Sequence, residues 1–409
     1  MSDICKAALM KVVSRYQKFQ DAFFSWGWLL PALFPASQIG GRALFNVLDY
    51  SYALWGLLSC PGRSVGADRG FIIGYLLLLS VFLVSVFGAE EILVGLRAWG
   101  QFALQSVIGI LTLLALRQDP ENLGRLRYAL GLGGFFMLFW QYVALVYYWQ
   151  SGTFEPQQLR DGNLPFLLPF MLAWAATEPR LKPWRGAAFG CIMVLAFSYI
   201  VLSHGRTSLL AAIIALAGFG ILIWRWSWRR TFLLLLVLAV LATALALGPL
   251  RKIPLGDLGL LDPAAISSGR TLIWEQALKN PPEQPWLGVG MGHGSLASEV
   301  LTFELAGQQH QVRHLHNLLL DAWYETGLLG VGTLVFFIGY VLMRAVRNWF
   351  SLNSQERETL GLFMIAALAI LTGTLLDFNY TARYFSCYFF LCLGVIHYMV
   401  THARSRLAL

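Results

Sequence analysis

Apolar runs separated by short polar breaks set the plan of the chain. They fall near residues 22–36, 43–60, 70–88, 92–116, 126–149, 164–177, 184–202, 208–224, 231–249, 327–343, 360–377 and 384–401. Crossing roughly 30 Å of hydrocarbon takes about 20 helical residues, so the pattern predicts an all-α polytopic membrane protein with about 12 transmembrane helices. The run at 164–177 is short, and Pro31, Pro165 and Pro169 open or interrupt helices. After the ninth run the pattern stops for roughly 65 residues, too long a stretch for a plain connection. The chain therefore divides into a bundle over 1–249, a large and mostly helical loop over 250–326, and three closing spans over 327–409.

Within the loop, SGRTLIWEQALKN reads as a helix with an N-cap serine at Ser267 or Ser268 and a stop at Pro281 and Pro282. HQVRHLHNLLLDAWYET reads as a second helix leading into the tenth span, and PWLGVGMGHGSLASE as the turn-rich connection between them. Met1 to Gln20 reads as an amphipathic helix on the membrane surface, without the pattern of a removable signal peptide.

Composition agrees with a lipid solvent: 57% of residues are hydrophobic and 13% charged, against about a quarter charged in soluble domains. The net charge of +8 comes from residues scattered over short loops, without the basic stripe that nucleic acid would need. With the N-terminus inside, two thirds of the 30 basic residues fall on the same side, among them Lys11, Arg69, Arg117, Arg180, Arg229, Arg344 and Arg404. By the positive-inside rule both termini are expected in the cytoplasm and the long loop outside. The five cysteines, Cys5, Cys60, Cys191, Cys387 and Cys392, avoid that loop and indicate neither a disulfide framework nor a zinc site.

The chemistry concentrates on the outside. SHGRTS closes the seventh helix and SSGRTLIW opens the loop helix, so Arg206 and Arg270 each follow a glycine beside a helix end. Either guanidinium can be a solvated boundary arginine. Two such sites on one side can instead share a pyrophosphate, since the planar fork of arginine matches phosphate oxygens. Ser203 begins the first of these motifs. Gly288, Gly290, Gly292 and Gly294 have the density of a dinucleotide loop, but no strand precedes them and nucleotide is not expected outside the cell, so tight turning is the better reading.

RHLHN, residues 313–317, places Arg313, His314, His316 and Asn317 together, and an imidazole is the usual general base near neutral pH. On a helix the two histidines would stand about 200° apart, so only one would face a small site. No third ligand completes a metal site, and neither metal nor another cofactor is expected. Asp321 and Glu325 share a helix face and need a basic partner or a wet cavity. Asp377, Asn379, Tyr380 and Arg383 in the last outer loop can belong to the same cavity or be solvated there. A transporter would show mid-membrane charges and repeated halves, and neither is evident. A scaffold that binds glycan without chemistry remains open.

S-x-G-R near an outer helix end, S-G-R-x-x-x-W, P-W-L-G-x-G-x-G, and H-x-H-N-x-L-L before E-x-G-L-L-G together resemble the O-antigen ligase and polymerase superfamily over Ser203 to Gly330. The H-x-H-N form and the compact length are most similar to its ligases. The resemblance implies a metal-independent glycosyltransferase in the bacterial inner membrane. It would move a glycan from undecaprenyl pyrophosphate to a sugar hydroxyl of lipid A-core, on the periplasmic face, by inversion. It also implies that Arg206 and Arg270 hold the pyrophosphate and that His316 or His314 is the base, with His316 favoured because it directly precedes Asn317. Arg313, Asn317, Ser203, Glu325, Asp377 and Arg383 are expected in support. Polymerases and protein O-oligosaccharyltransferases of the same superfamily would use the same donor. SHGRTS departs from the usual pattern at His204.

Overall fold

The computed structural model describes residues 27–34, 37–58, 68–89, 91–152, 164–203, 205–223, 267, 269–292, 302–305, 308–311, 314–377 and 380–407. The amphipathic segment before residue 20, the apolar run at 231–249, and His204, Ser268, His293, Gly294, Arg313 and Asn379 lie outside them.

The described residues are overwhelmingly helical, as a chain in lipid must be, because the bilayer interior offers its backbone no hydrogen-bond partners. Among them, 7 helices are long and apolar enough to cross a membrane: Arg69–Val86, Ile92–Gln118, Asn122–Gln150, Pro179–Leu202, Leu318–Ser351, Ser354–Leu376 and Phe385–His402. Leu164–Thr177 and Arg206–Leu222 are shorter apolar helices, and Ser37–Leu58 forms a further helix of 22 residues. The run read at 22–36 appears as short helical pieces over Gly27–Leu33, with Pro31 inside them.

The last span is the centre of the bundle. It buries 94% of its apolar window inside the protein, whereas Arg69–Val86 buries 33% and leaves the rest for lipid. Ile108–Gln118 packs directly on it through a glycine pair: a Cβ on Gly394 would stand 2.1 Å from the Gly109 carbonyl oxygen, so small residues set this crossing. At one end of the bundle Arg117 donates to both carboxylate oxygens of Asp68, at 3.1 and 2.9 Å, and also to Thr401. All three stand on the side that charge placement assigns to the cytoplasm.

Asp49 lies fully buried in the middle of Ser37–Leu58, where the Cys387 thiol donates to it across 3.6 Å. Two readings need correction among the described residues of the long loop. Its first helix, Arg270–Lys279, does stop before Pro281, but its N-cap is Gly269 at φ 83°; Ser267 acts from two residues further out, its hydroxyl accepting from the Thr271 N–H at 3.1 Å. Thr302–Leu305 and Gln308–Gln311 form an antiparallel hairpin where the second helix was expected to begin. That helix starts only at Leu318, because Asn317 caps it by accepting from the N–H groups of Leu319 and Leu320 at 2.9 and 3.1 Å.

Candidate active site

The scaffold of the site is a broken helix and the loop that fills the break. Leu318–Asn348 runs through the expected boundary between loop and span, but Gly327 adopts φ 65°, ψ −174°, a conformation essentially confined to glycine. The break frees backbone groups that the glycine-rich loop takes up. Val289 and Gly290 donate to the carbonyls of Tyr324 and Glu325 at 2.8 and 3.1 Å, while Leu328 and Leu329 donate to those of Pro285 and Trp286 at 2.9 and 3.3 Å. A Cβ on Gly288 would sit 2.5 Å from the Tyr324 carbonyl oxygen, so the close approach itself requires glycine. The P-W-L-G-x-G-x-G and E-x-G-L-L-G motifs are thus two halves of one joint.

Glu325 locks that joint. Its carboxylate accepts from the Gly292 N–H at 3.0 Å and from the Tyr380 hydroxyl. Tyr380 is fully buried, and its phenol is pushed well above the usual range by burial first and by the negative charge of Glu325 second. Asp321, one turn earlier and 4% exposed, accepts from the Leu315 N–H at 2.8 Å and so holds the peptide between the two histidines.

Above the joint, four segments meet. Arg270, at the first turn of its helix, donates from Nη1 to the Thr207 hydroxyl at 2.8 Å and from Nη2 to Asp377 Oδ1 at 2.7 Å. The two Gly-Arg-Thr motifs are therefore in contact, and Arg206 occupies the first turn of Arg206–Leu222 immediately beside Thr207. His316 directs Nδ1 at Asp377, 2.9 Å from the backbone carbonyl and 3.3 Å from Oδ1. Asn317, besides capping its helix, donates from Nδ2 to the Leu375 carbonyl at 3.0 Å and so ties the histidine turn to the helix before Asp377. Trp274 reaches the same turn by donating to the Leu315 carbonyl at 2.9 Å.

The non-helical backbone of residues 314–317 overturns the helical reading of the histidine pair. His314 and His316 do face each other, with ring centroids 3.9 Å apart and planes at 76°. His316 has φ 52°, the one left-handed non-glycine among the described residues, a conformation retained where surrounding contacts impose it. His314 is held down to about 4 by burial first and by the neighbouring His316 second, so it is neutral near pH 7. Among the described residues, its buried Nδ1 has no hydrogen-bond partner.

The other expected residues lie around this centre. Ser203, buried, donates to the Ile200 carbonyl at 2.9 Å at the end of its helix. Arg383 stands with its guanidinium carbon 5.0 Å above the Phe45 ring. Among the described residues no three His, Cys, Asp or Glu side chains group as metal ligands. Thr207 was missed as a separate contributor; its only sequence signal is the repeated Gly-Arg-Thr.

Residues 191–337 match a protein-family model described as O-Antigen ligase. The match contains Arg206, Arg270, both histidines and the glycine joint, while Asp377 and Tyr380 fall beyond it. Comparison with curated proteins gave no match.

Proposed function

We propose, from the match of residues 191–337 to a family model described as O-Antigen ligase, that the protein transfers a glycan from undecaprenyl pyrophosphate to a sugar hydroxyl of lipid A-core. In this reading the chain crosses the bacterial inner membrane about a dozen times, with both termini in the cytoplasm and the loop of residues 250–326 over the periplasmic face. The observation that carries it is the hydrogen-bonded set Thr207, Arg270, Asp377 and His316, which joins a guanidinium to an imidazole through one carboxylate.

Each group has a task that its geometry suits. Arg270 and Arg206 stand in the first turns of two helices, where their cationic side chains and the positive helix ends suit a pyrophosphate. His316 donates its Nδ1 proton to the Asp377 carbonyl, which leaves the lone pair on Nε2 to accept a proton. As the acceptor hydroxyl attacks the anomeric carbon, its proton passes to Nε2. The new C–O bond forms, the bond to the pyrophosphate oxygen breaks, and undecaprenyl pyrophosphate leaves as the anion. Fixed positive charge stabilises that leaving group, so no metal is required by this scheme. A single displacement inverts the anomeric configuration. Exposed apolar helix faces remain for the isoprenoid tail and surrounding lipids.

The test is transfer by the purified protein from a lipid-linked glycan to rough lipopolysaccharide in the presence of EDTA, read as a mobility shift. Glycan appearing on itself or on an acceptor protein would reassign the chain as a polymerase or a protein O-oligosaccharyltransferase. No transfer by the purified protein would leave a glycan-binding scaffold, unchanged transfer by Arg270→Ala and His316→Ala variants would place the chemistry on other residues, and retained anomeric configuration would remove the single displacement.

A further inference from the structure

Asp377 serves two partners of opposite use. Its Oδ1 is 2.7 Å from Arg270 Nη2 and 3.3 Å from His316 Nδ1, so one oxygen lies between the cation assigned to the donor and the imidazole assigned to the acceptor. The shorter contact goes to Arg270. All three side chains are partly accessible, at 24% for Arg270, 29% for Asp377 and 31% for His316, so an anion can reach the pair from solvent. A carboxylate held by arginine is a competitor for any phosphate that needs the same fork.

We propose that Asp377 is a positioning switch: it neutralises Arg270 while the site is empty, and an anionic donor headgroup takes Arg270 over and releases the carboxylate to His316. The proposal rests on the reading of Arg270 as donor clamp and His316 as base. A pyrophosphate carries more charge than a carboxylate and offers several oxygens to the fork, so the exchange runs toward the donor. The released Asp377 then faces Nδ1–H and stabilises the imidazolium that forms when Nε2 takes the acceptor proton. Base strength thereby rises only with donor in place, which disfavours activating water at an empty site.

The neighbours of His316 permit this. Its ring is packed by His314, neutral near pH 7, and Arg270 approaches from the other side of the Asp377 carboxylate that both contact. Asp321 lies close enough for its charge to be felt at His316, but it is buried and committed to the Leu315 N–H. Asp377 is thus the carboxylate placed to change partners.

The experiment uses the full chain in lipid nanodiscs with inorganic pyrophosphate as the probe. Asp377→Asn removes the competitor and keeps the shape, so pyrophosphate is expected to bind about tenfold tighter while turnover at saturating donor falls at least about tenfold. Equal or weaker pyrophosphate binding by Asp377→Asn would overturn the switch. Arg270→Gln separates the two levels: if it leaves pyrophosphate affinity unchanged in the wild-type background, the clamp itself is wrong and the switch goes with it. A second readout needs no variant to fold. The pH midpoint for acylation of His316 by diethylpyrocarbonate, followed by mass spectrometry, should move up by about one unit when pyrophosphate is added to the wild-type protein. No movement overturns the proposal, and so does an equal movement in Asp377→Asn, which would assign the effect to the anion alone.

Discussion

Replacing Gly327 by alanine tests whether the helix break and the glycine loop are one device. A Cβ at this position would lie 2.1 Å from the Trp286 carbonyl carbon and 2.3 Å from the Leu287 nitrogen, both backbone atoms that cannot rotate away. The φ of 65° with ψ −174° adds strain of about 1–3 kcal/mol for a residue with a side chain. The cheaper escape is for the loop to lift off and the helix to straighten. That forfeits the hydrogen bonds from Val289, Gly290, Leu328 and Leu329, each about 1 kcal/mol net. Water at the membrane boundary recovers part of this, leaving a loss of about 2–4 kcal/mol. Gly332→Ala is the control, because in the same helix its Cβ would meet nothing within 4 Å. Thermal unfolding in detergent and limited proteolysis of the loop read the difference. Gly327→Ala should melt lower and be cut between residues 281 and 292, and the two variants behaving alike would refute the coupled joint.

Three further outcomes follow from the same geometry. His314 is held near 4 in the fold, against about 6.5 when exposed, so the unfolded chain takes up the proton first; stability is complete above about 6.5 and falls as the pH drops toward 4. The shift alone would amount to about 3 kcal/mol, and solvent screening of this partly accessible ring lowers it to about 1–2; acid titration of unfolding should show that slope, and an unchanged slope in His314→Gln would count against it. Glu325→Gln and Tyr380→Phe should each destabilise by about 1–3 kcal/mol, with the double variant less destabilised than their sum, because both remove the same buried contact; strict additivity in a double-mutant cycle would separate them. Arg270→Lys keeps the charge but cannot reach Thr207 and Asp377 from one planar fork, so turnover should drop about tenfold to a hundredfold at unchanged melting temperature; full activity would show that charge alone suffices.

Much of the helical plan was legible because lipid leaves the backbone few choices. The run read at 164–177 is the helix Leu164–Thr177, and that at 184–202 is Arg185–Leu202 but for one residue. The histidine turn was misread for a local reason. Asn317 followed by three leucines is an N-cap signal, and giving it priority over the apolar pattern would have started the helix at Leu318. Nothing in the local pattern around Asp49 foretells its surroundings. Its tolerance depends on burial beside Cys387, which lies 338 residues away.

Residue type and order alone indicated a polytopic membrane protein, placed several of its helices, and showed arginine, histidine and glycine gathered in one stretch between apolar runs. Those follow from hydrophobic transfer and local backbone preferences, which act over a few turns of chain. Tertiary structure decided which of these groups meet. Thr207 and Arg270 are 63 positions apart, and Arg270 and Asp377 107 apart. Their contact depends on how helices cross and where Gly327 breaks one, and both depend on packing between segments that no local pattern records.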